Sequence, residues 1–213
     1  ANPHDAFLSL RHQRFADLPQ RARVGTSSPR RQAQLRHARP DLRLELLRGN
    51  VDTRLRRLAE GELDAILLAC AGLERLGLGS RITQVLDLEL SLPAVGQGVI
   101  GIECREDDAT SRAALVALHH EPSFVRLKAE RAFAQTLGGS CHSPIAAHAS
   151  LDGESLVVHG FVGAPDGQEV YRDVERGNPA DTEALGRRLA ARMQAAGAGA
   201  LLDRLRDEAA AAS

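Results

Sequence analysis

The chain has 213 residues, of which 43% are hydrophobic and 26% are charged, and its formal net charge is −1. This composition is typical of a globular protein long enough for one large domain or two of ordinary size. The near-zero net charge lacks the basicity of nucleic-acid-binding proteins, and no apolar run reaches the length of a membrane span. The sequence therefore predicts neither nucleic acid nor a membrane among its partners.

The first half alternates predicted strands and helices, with Ser28 and Asn50 as expected N-caps and Pro29 in a first helical turn. This alternation predicts a doubly wound α/β domain with a parallel-rich sheet over residues 1–93. The strands are predicted at 5–10, 23–26, 42–47 and 64–70, and the helices at 29–38 and 51–60.

The second half has a different pattern. Residues 92–98 (LPAVGQG) contain one proline and two glycines, which favours a hinge. We assign residues 94–120 to this hinge, a strand at 99–104 and a helix at 108–119. Residues 121–213 are predicted to form a smaller α+β domain with a three-stranded antiparallel sheet over 145–176, Asp166-Gly167 in a hairpin turn, and helices at 123–137 and from 179 onward.

Two arginine-containing runs each follow a predicted strand and open a helix. A helix N-terminus offers unpaired N–H groups to an anion, and arginine adds a planar fork that grips carboxylates. The residues that carry the anion-site prediction are Arg30 and Arg31 in the first run, and Arg48 and Arg54 in the second. Arg75, after an expected turn at Ala71-Gly72, is left open between this site and solvent.

The competing interpretation is an arginine-rich solvated surface, because 27 basic residues include a single lysine, Lys128. We favour that interpretation for the arginines that lie away from the helix entrances, namely Arg36, Arg39, Arg43, Arg56 and Arg57.

Three cysteines, Cys70, Cys104 and Cys141, are widely spaced, which favours a reducing cytoplasm and matches no zinc motif. Cys70 and Cys104 fall in apolar strands and are expected in the core. Cys141 follows three small residues, so its thiol is either a nucleophile or attachment point, or an inert side chain. The adjacent His119 and His120 point to different helix faces, and we predict no metal site.

Several stretches together resemble the porphobilinogen deaminase (hydroxymethylbilane synthase) family. They follow one another over essentially the whole chain: VGTSSPRRQAQL, LRGNVDTRL, GELDAILLACAGLERLGL, LPAVGQGVIGIECR, the AERAF helix, the cysteine loop before Pro144-Ile145, and FVGAPDG. The resemblance implies that residues 1–93 are the second, periplasmic-binding-protein-like domain of a cytoplasmic transferase. That enzyme condenses four porphobilinogen molecules into hydroxymethylbilane, releases ammonia, and serves tetrapyrrole and heme biosynthesis.

The resemblance also implies roles for individual residues. A dipyrromethane cofactor is expected on Cys141 through a thioether, with Arg30, Arg31, Arg48, Arg54, Ser27, Ser28, Gly49 and Asn50 around it. Substrate carboxylates are expected on Arg48, Arg54 and Arg75. The family's catalytic aspartate belongs to an N-terminal domain with no counterpart in these residues, so we assign catalysis to no residue here and expect this chain alone to be inactive.

In the intact enzyme, residues 99–116 would return to the N-terminal domain that carries the catalytic aspartate. We therefore expect the intact enzyme to be a monomer and this chain to self-associate through an orphaned strand at 99–104. Ser140 and Gly138 stand where the family loop usually has glycine and glutamate. The alternative function is a non-catalytic anion-binding module of the periplasmic-binding-protein type, in which Cys141 has no role. A nucleic-acid-binding domain ranks third, because aromatic residues make up only 3% of the chain.

Overall fold

The computed structural model describes residues 1–139 and 143–211. The first part contains a five-stranded sheet in the order β3-β2-β4-β1-β5. Its strands are β1 (Asp5–Leu8), β2 (Arg23–Gly25), β3 (Arg43–Glu45), β4 (Ala65–Ala69) and β5 (Gln84–Val85).

The sheet is mixed. Strand β2 pairs in parallel with β3 and β4, whereas β1 is antiparallel to both β4 and β5. The predicted alternation of strand and helix is therefore confirmed from β2 to β4, and the predicted parallel pairing is confirmed for β2, β3 and β4, whereas both pairings of β1 are antiparallel. The reason is that β1 and β5 are not joined to their neighbours by helical crossovers.

Period-two alternation divides β4 between two cores. Ile66 and Leu68 pack into one cluster with Leu55 and Leu73, while Ala65 and Leu67 face the opposite cluster. Both faces of the central strand are thus buried, as its continuous apolar sequence predicts.

Side-chain caps fix the first residues of the first two helices, α1 (Pro29–Ala38) and α2 (Val51–Ala59). The Ser28 hydroxyl accepts from Arg31 N at 3.5 Å, and Asn50 Oδ1 accepts from Thr53 N at 2.9 Å. A third helix, α3 (Cys70–Arg75), begins directly after β4. The turn predicted at Ala71-Gly72 is therefore wrong, and Arg75 lies in the last turn of a helix.

Residues 99–104 do not form the predicted strand. Their apolar pattern is suitable for a strand, but a strand needs a hydrogen-bonded neighbour, and no described segment pairs with them. Ile100 is 68% exposed, and Cys104 is exposed as well, so the expectation that Cys104 is a core residue is also wrong. The following helix, α4 (Ala109–Leu115), is capped by Asp108 and continues as a 3₁₀ turn to Leu118.

The C-terminal part packs helices on one antiparallel sheet of three strands, as predicted. The strands are β6 (Ile145–Asp152), β7 (Ser155–Gly163) and β8 (Val170–Gly177). The helices are α5 (Glu121–Thr136), α6 (Thr182–Met193) and α7 (Gly199–Ala211), with a kink at Gly197, where φ is 121°. No helix among the described residues has both the length and the apolar character needed to cross a membrane.

Helix α1 also contacts the C-terminal part. In its last turn, Arg36 Nη1 donates to Pro165 O at 2.8 Å, and His37 Nδ1 lies 3.0 Å from Gly167 O. A Cβ at Gly167 would lie 2.4 Å from His37 N, so the hairpin backbone approaches the helix too closely for any side chain there. The β7–β8 hairpin is thus seated directly on α1.

Candidate anion-binding site

The predicted site residues gather where β2, β3 and β4 end. These parallel strands are neighbours, so the segments that follow them meet at one edge of the sheet. Strand β1 runs the other way, and its first residue, Asp5, pairs opposite Ala69 at that same edge. An acidic side chain therefore stands among the predicted arginines.

Asp5 is fully buried, and its two oxygens accept six hydrogen bonds. Arg30 donates through Nη1 (2.7 Å) and Nη2 (3.1 Å), and Arg31 donates through Nη2 (2.6 Å) and Nε (3.0 Å). Ser91 Oγ and Gln97 Nε2 complete the set at 2.7 and 3.0 Å. We call these five residues the Asp5 cluster.

The cluster holds two guanidinium groups against one carboxylate. Burial alone would raise the pKa of Asp5, but the charges and hydrogen bonds of Arg31 and Arg30 hold it well below its usual range. Burial lowers the pKa of Arg30, and Arg30 Nε is a buried donor without a partner among the described atoms. The cluster therefore retains a net positive charge and one unsatisfied donor.

The sequence places Arg30 and Arg31 at an open helix N-terminus, whereas the structure buries both side chains. Only 4% of Arg30 and 8% of Arg31 is exposed, and both also donate to backbone carbonyls, at Leu92 and Leu67 respectively. Their role toward a ligand stays a prediction. Sequence reasoning missed Asp5 and Ser91, and the available signal was an acid at the start of the buried run DAFL.

Arg48, Arg54 and Arg75 are more accessible. Arg48 is exposed, and its side chain has no partner among residues 1–139 and 143–211. Arg54 is half-buried and donates from Nε to Gly49 O at 2.9 Å; burial and the nearby charge of Arg31 lower its pKa. Exposed Arg75 donates from Nη2 to Gly98 O at 2.6 Å. These three side chains supply forked donors that solvent can reach.

The remaining predicted residues shape the entrances. Ser28 and Asn50 use their side-chain oxygens as helix caps, and Ser27 is partly exposed beside the first cap. Gly49 has φ 105°, a conformation that residues with a side chain rarely adopt.

Cys141 and Ser140 lie outside the described residues, so the predicted attachment point stays a prediction. The chain on either side is anchored, since Gly139 N donates to Ala134 O at 2.8 Å and Gly163 N donates to Pro144 O at 3.2 Å.

Cys70 is a core residue, as predicted, and burial raises the pKa of its thiol to about 11. Across the described ranges, no group of three or more His, Cys, Asp and Glu side chains could hold a metal ion.

A second buried acid, Glu130 on α5, lies near His148 on β6. Glu130 accepts from Gly96 N at 2.7 Å and Ala149 N at 2.9 Å, and its Oε1 lies 3.9 Å from His148 Nδ1. Burial raises the pKa of Glu130 to about 7, partly offset by those two hydrogen bonds. Burial, followed by the charge of His4, lowers the pKa of His148 to about 4.

Replacing Asp5 tests the cluster. We expect Asp5→Asn to lower the free energy of unfolding by about 3–5 kcal/mol, because two buried guanidinium groups lose their counterion. Urea unfolding monitored by circular dichroism measures this change. The matched control is Asp152→Asn, which breaks an exposed ion pair with Arg176 and should cost less than about 1 kcal/mol. Equal effects of the two substitutions would contradict a dominant role for Asp5.

Glu130 and His148 predict opposite pH dependences. Folded Glu130 keeps a proton from pH 4.5, its ordinary pKa, to about 7, so this residue makes the free energy of unfolding fall as pH rises. Folded His148 excludes a proton that the unfolded chain binds below pH 6.5, so it makes the free energy rise from about pH 4 to 6.5. The two slopes largely cancel in the wild-type chain.

We therefore expect Glu130→Gln to steepen the rise in stability from pH 4 to 6.5, by up to about 1.4 kcal/mol per pH unit. His148→Gln should give the reverse, a fall from pH 4.5 to 7. Urea titrations at half-unit pH steps measure both slopes. Variant profiles that run parallel to the wild-type profile would show that neither group titrates in this window.

Comparison with known proteins gives a consistent result over both parts of the chain. The family model described as "Porphobilinogen deaminase, dipyromethane cofactor binding domain" matches residues 1–113, and "Porphobilinogen deaminase, C-terminal domain" matches residues 124–195. The porphobilinogen deaminase of Trichlorobacter lovleyi is 47% identical over 202 residues, which cover 95% of this chain and 64% of that protein.

The porphobilinogen deaminase of Thiobacillus denitrificans is 49% identical over 204 residues, covering 96% of this chain and 67% of the relative. The chain thus spans about two thirds of the length of these curated relatives. A family model over more than half of the chain and this identity over nearly all of it agree with the order of the motifs. The chain belongs to the porphobilinogen deaminase family.

Proposed function

We propose that this chain takes part in porphobilinogen deaminase activity, the condensation of four porphobilinogen molecules into hydroxymethylbilane with release of ammonia. The proposal rests on one observation: in a chain of this family, several arginines lie together at the edge of the sheet where β2, β3 and β4 end. Each pyrrole unit brings an acetate and a propionate group, so a growing chain needs several forked donors. Arg48, Arg54 and Arg75 are accessible donors of this kind, and the Asp5 cluster behind them is positively charged.

The residues present suit a dipyrromethane cofactor. The side chain of Arg48, which is exposed and has no partner among the described residues, is a donor that a carboxylate of a bound pyrrole would satisfy. When bound, the cofactor supplies the pyrrole carbon to which substrate units are added. We propose that Cys141 holds it through a thioether, that Arg30, Arg31, Ser27, Ser28, Gly49 and Asn50 surround it, and that Arg48, Arg54 and Arg75 orient substrate carboxylates.

The proposal extends to organisation and location. We propose that residues 1–93 form a periplasmic-binding-protein-like domain, 94–120 a hinge and return segment, and 121–213 a C-terminal domain. A cytoplasmic location is supported by Cys70 and Cys104, which are free thiols in the described structure. The comparisons do not support the alternative function, an anion-binding module in which Cys141 has no role.

Intact mass after incubation with porphobilinogen tests the function. We expect an adduct of two pyrrole units that is lost in Cys141→Ser and kept in Cys104→Ser, which removes the exposed thiol instead. Arg48→Gln should weaken porphobilinogen binding about tenfold, the cost of one charge-assisted contact. Arg56→Gln, an exposed arginine on α2, should leave binding unchanged.

Two outcomes would contradict the proposal. Reversible binding of porphobilinogen with no covalent mass at Cys141 favours the anion-binding module. Absence of both the adduct and calorimetrically measurable binding removes the proposed ligand. Steady formation of hydroxymethylbilane by this chain would support the function and contradict the expectation that the chain alone is inactive.

We also propose that the chain self-associates through the surface around residues 99–118. Ile100, Ile102, Val116 and Leu118 are large apolar side chains, each more than half exposed. Ile100→Asp combined with Ile102→Asp should shift the chain from dimer to monomer in sedimentation velocity experiments. Leu10→Asp, at an equally exposed leucine elsewhere, is the control. A wild-type chain that sediments as a monomer at 100-fold different concentrations would contradict self-association.

A further inference from the structure

The turn at residues 94–98 lies between the two parts of the chain and contacts both. Gln97 N donates to Ala94 O at 2.9 Å, and Val99 N donates to Gly96 O at 3.0 Å. Gly96 has φ 69° and Gly98 has φ 85°, which only glycine adopts without strain. From the sequence this segment is only a hinge, yet its contacts fix it on two sides.

On the C-terminal side, the turn is held by α5. Gly96 N donates to Glu130 Oε2 at 2.7 Å, and the other carboxylate oxygen accepts from Ala149 N in β6. A Cβ at Gly96 would lie 2.9 Å from Leu127 Cδ1, so the turn and the helix are in direct contact. Because Glu130 is only 6% exposed, its carboxylate is a buried clamp between turn, helix and sheet.

On the other side, the same turn reaches the predicted anion site. Gln97 Nε2 donates to Asp5 Oδ1 at 3.0 Å, and Arg30 Nη2 donates to Gln97 Oε1 at 3.4 Å. Gly98 O accepts from Arg75 Nη2 at 2.6 Å. The turn therefore contacts Arg30 and Arg75 directly, and it connects with Arg31 through Asp5.

We propose that Glu130 is a positioning residue for the anion site: by fixing Gly96, it sets where Gln97 and Gly98 meet Arg30 and Arg75. A carboxyl oxygen of Glu130 accepts from Gly96 N, and this hydrogen bond is strongest when Glu130 is ionised, because a charged acceptor binds a donor more strongly than a neutral one. Loss of the Glu130 acceptor leaves the half-buried Gly96 N–H without that partner, which favours a shifted turn. The ligand in this inference rests on the proposed function, whereas the contacts that position the arginines do not.

Two measurements on the 213-residue chain test the inference. Porphobilinogen affinity is measured by calorimetry, and the Nε–H signals of Arg30 and Arg75 are followed by NMR. Glu130→Ala should weaken affinity about tenfold and shift both arginine signals. Glu130→Gln keeps an oxygen acceptor and should cause a smaller change in both. Glu121→Gln replaces an exposed acid on the same helix and should change neither.

The outcomes separate positioning from simple stabilisation. A Glu130→Ala variant that melts earlier but keeps the wild-type affinity and arginine signals overturns the inference. Shifted arginine signals in a chain whose wild type binds no porphobilinogen support positioning and count against the proposed function. If Glu130→Ala does not fold, Glu130→Gln decides: arginine signals identical to those of the wild type overturn the inference.

Discussion

The buried carboxylate of Asp5 is the interaction on which the arrangement of the site depends. Four side chains from α1 and the 91–97 segment converge on its two oxygens. A charge with no solvent contact is tolerated only when it is paired and its hydrogen bonds are satisfied. The first residue of β1, the start of α1 and the approach to the 94–98 turn must therefore meet at one point, and the site is built around an internal anion.

The Asp5 cluster also divides the arginines into two groups. Arg30 and Arg31 are buried and donate most of their hydrogen bonds to other groups of the protein. Arg48 and Arg54 are more accessible to solvent. Arg30 and Arg31 together carry two positive charges against the single negative charge of Asp5. The remaining positive charge acts over a longer distance because water screens it poorly there. Burial, and then the charge of Arg31, lowers the pKa of Arg54, in line with repulsion between the two groups. An incoming carboxylate would relieve the repulsion between them.

The sequence predicts well those features that depend only on residues close together in the chain. The caps at Ser28 and Asn50 each act within three residues, so both helices begin where the pattern places them. Asp5 and Ser91 are 86 positions apart, and no local pattern indicates that they meet. The apolar run at 99–104 fails for the opposite reason: its pattern favours a strand, but pairing depends on a partner that local sequence does not specify. The site was thus predictable as a location, and its buried counterion was not.

Helix α1 contacts the site at one end and the C-terminal part of the chain at the other. Its first turn carries Arg30 and Arg31, and its last turn receives the β7–β8 hairpin through Arg36 and His37. Ten residues of helix span about 15 Å, so one continuous element joins the two sets of contacts. The 94–98 turn supplies a second, separate connection through Glu130. A rotation of the C-terminal part that kept one connection would strain the other, so the orientation of that part and the position of the arginines are set together.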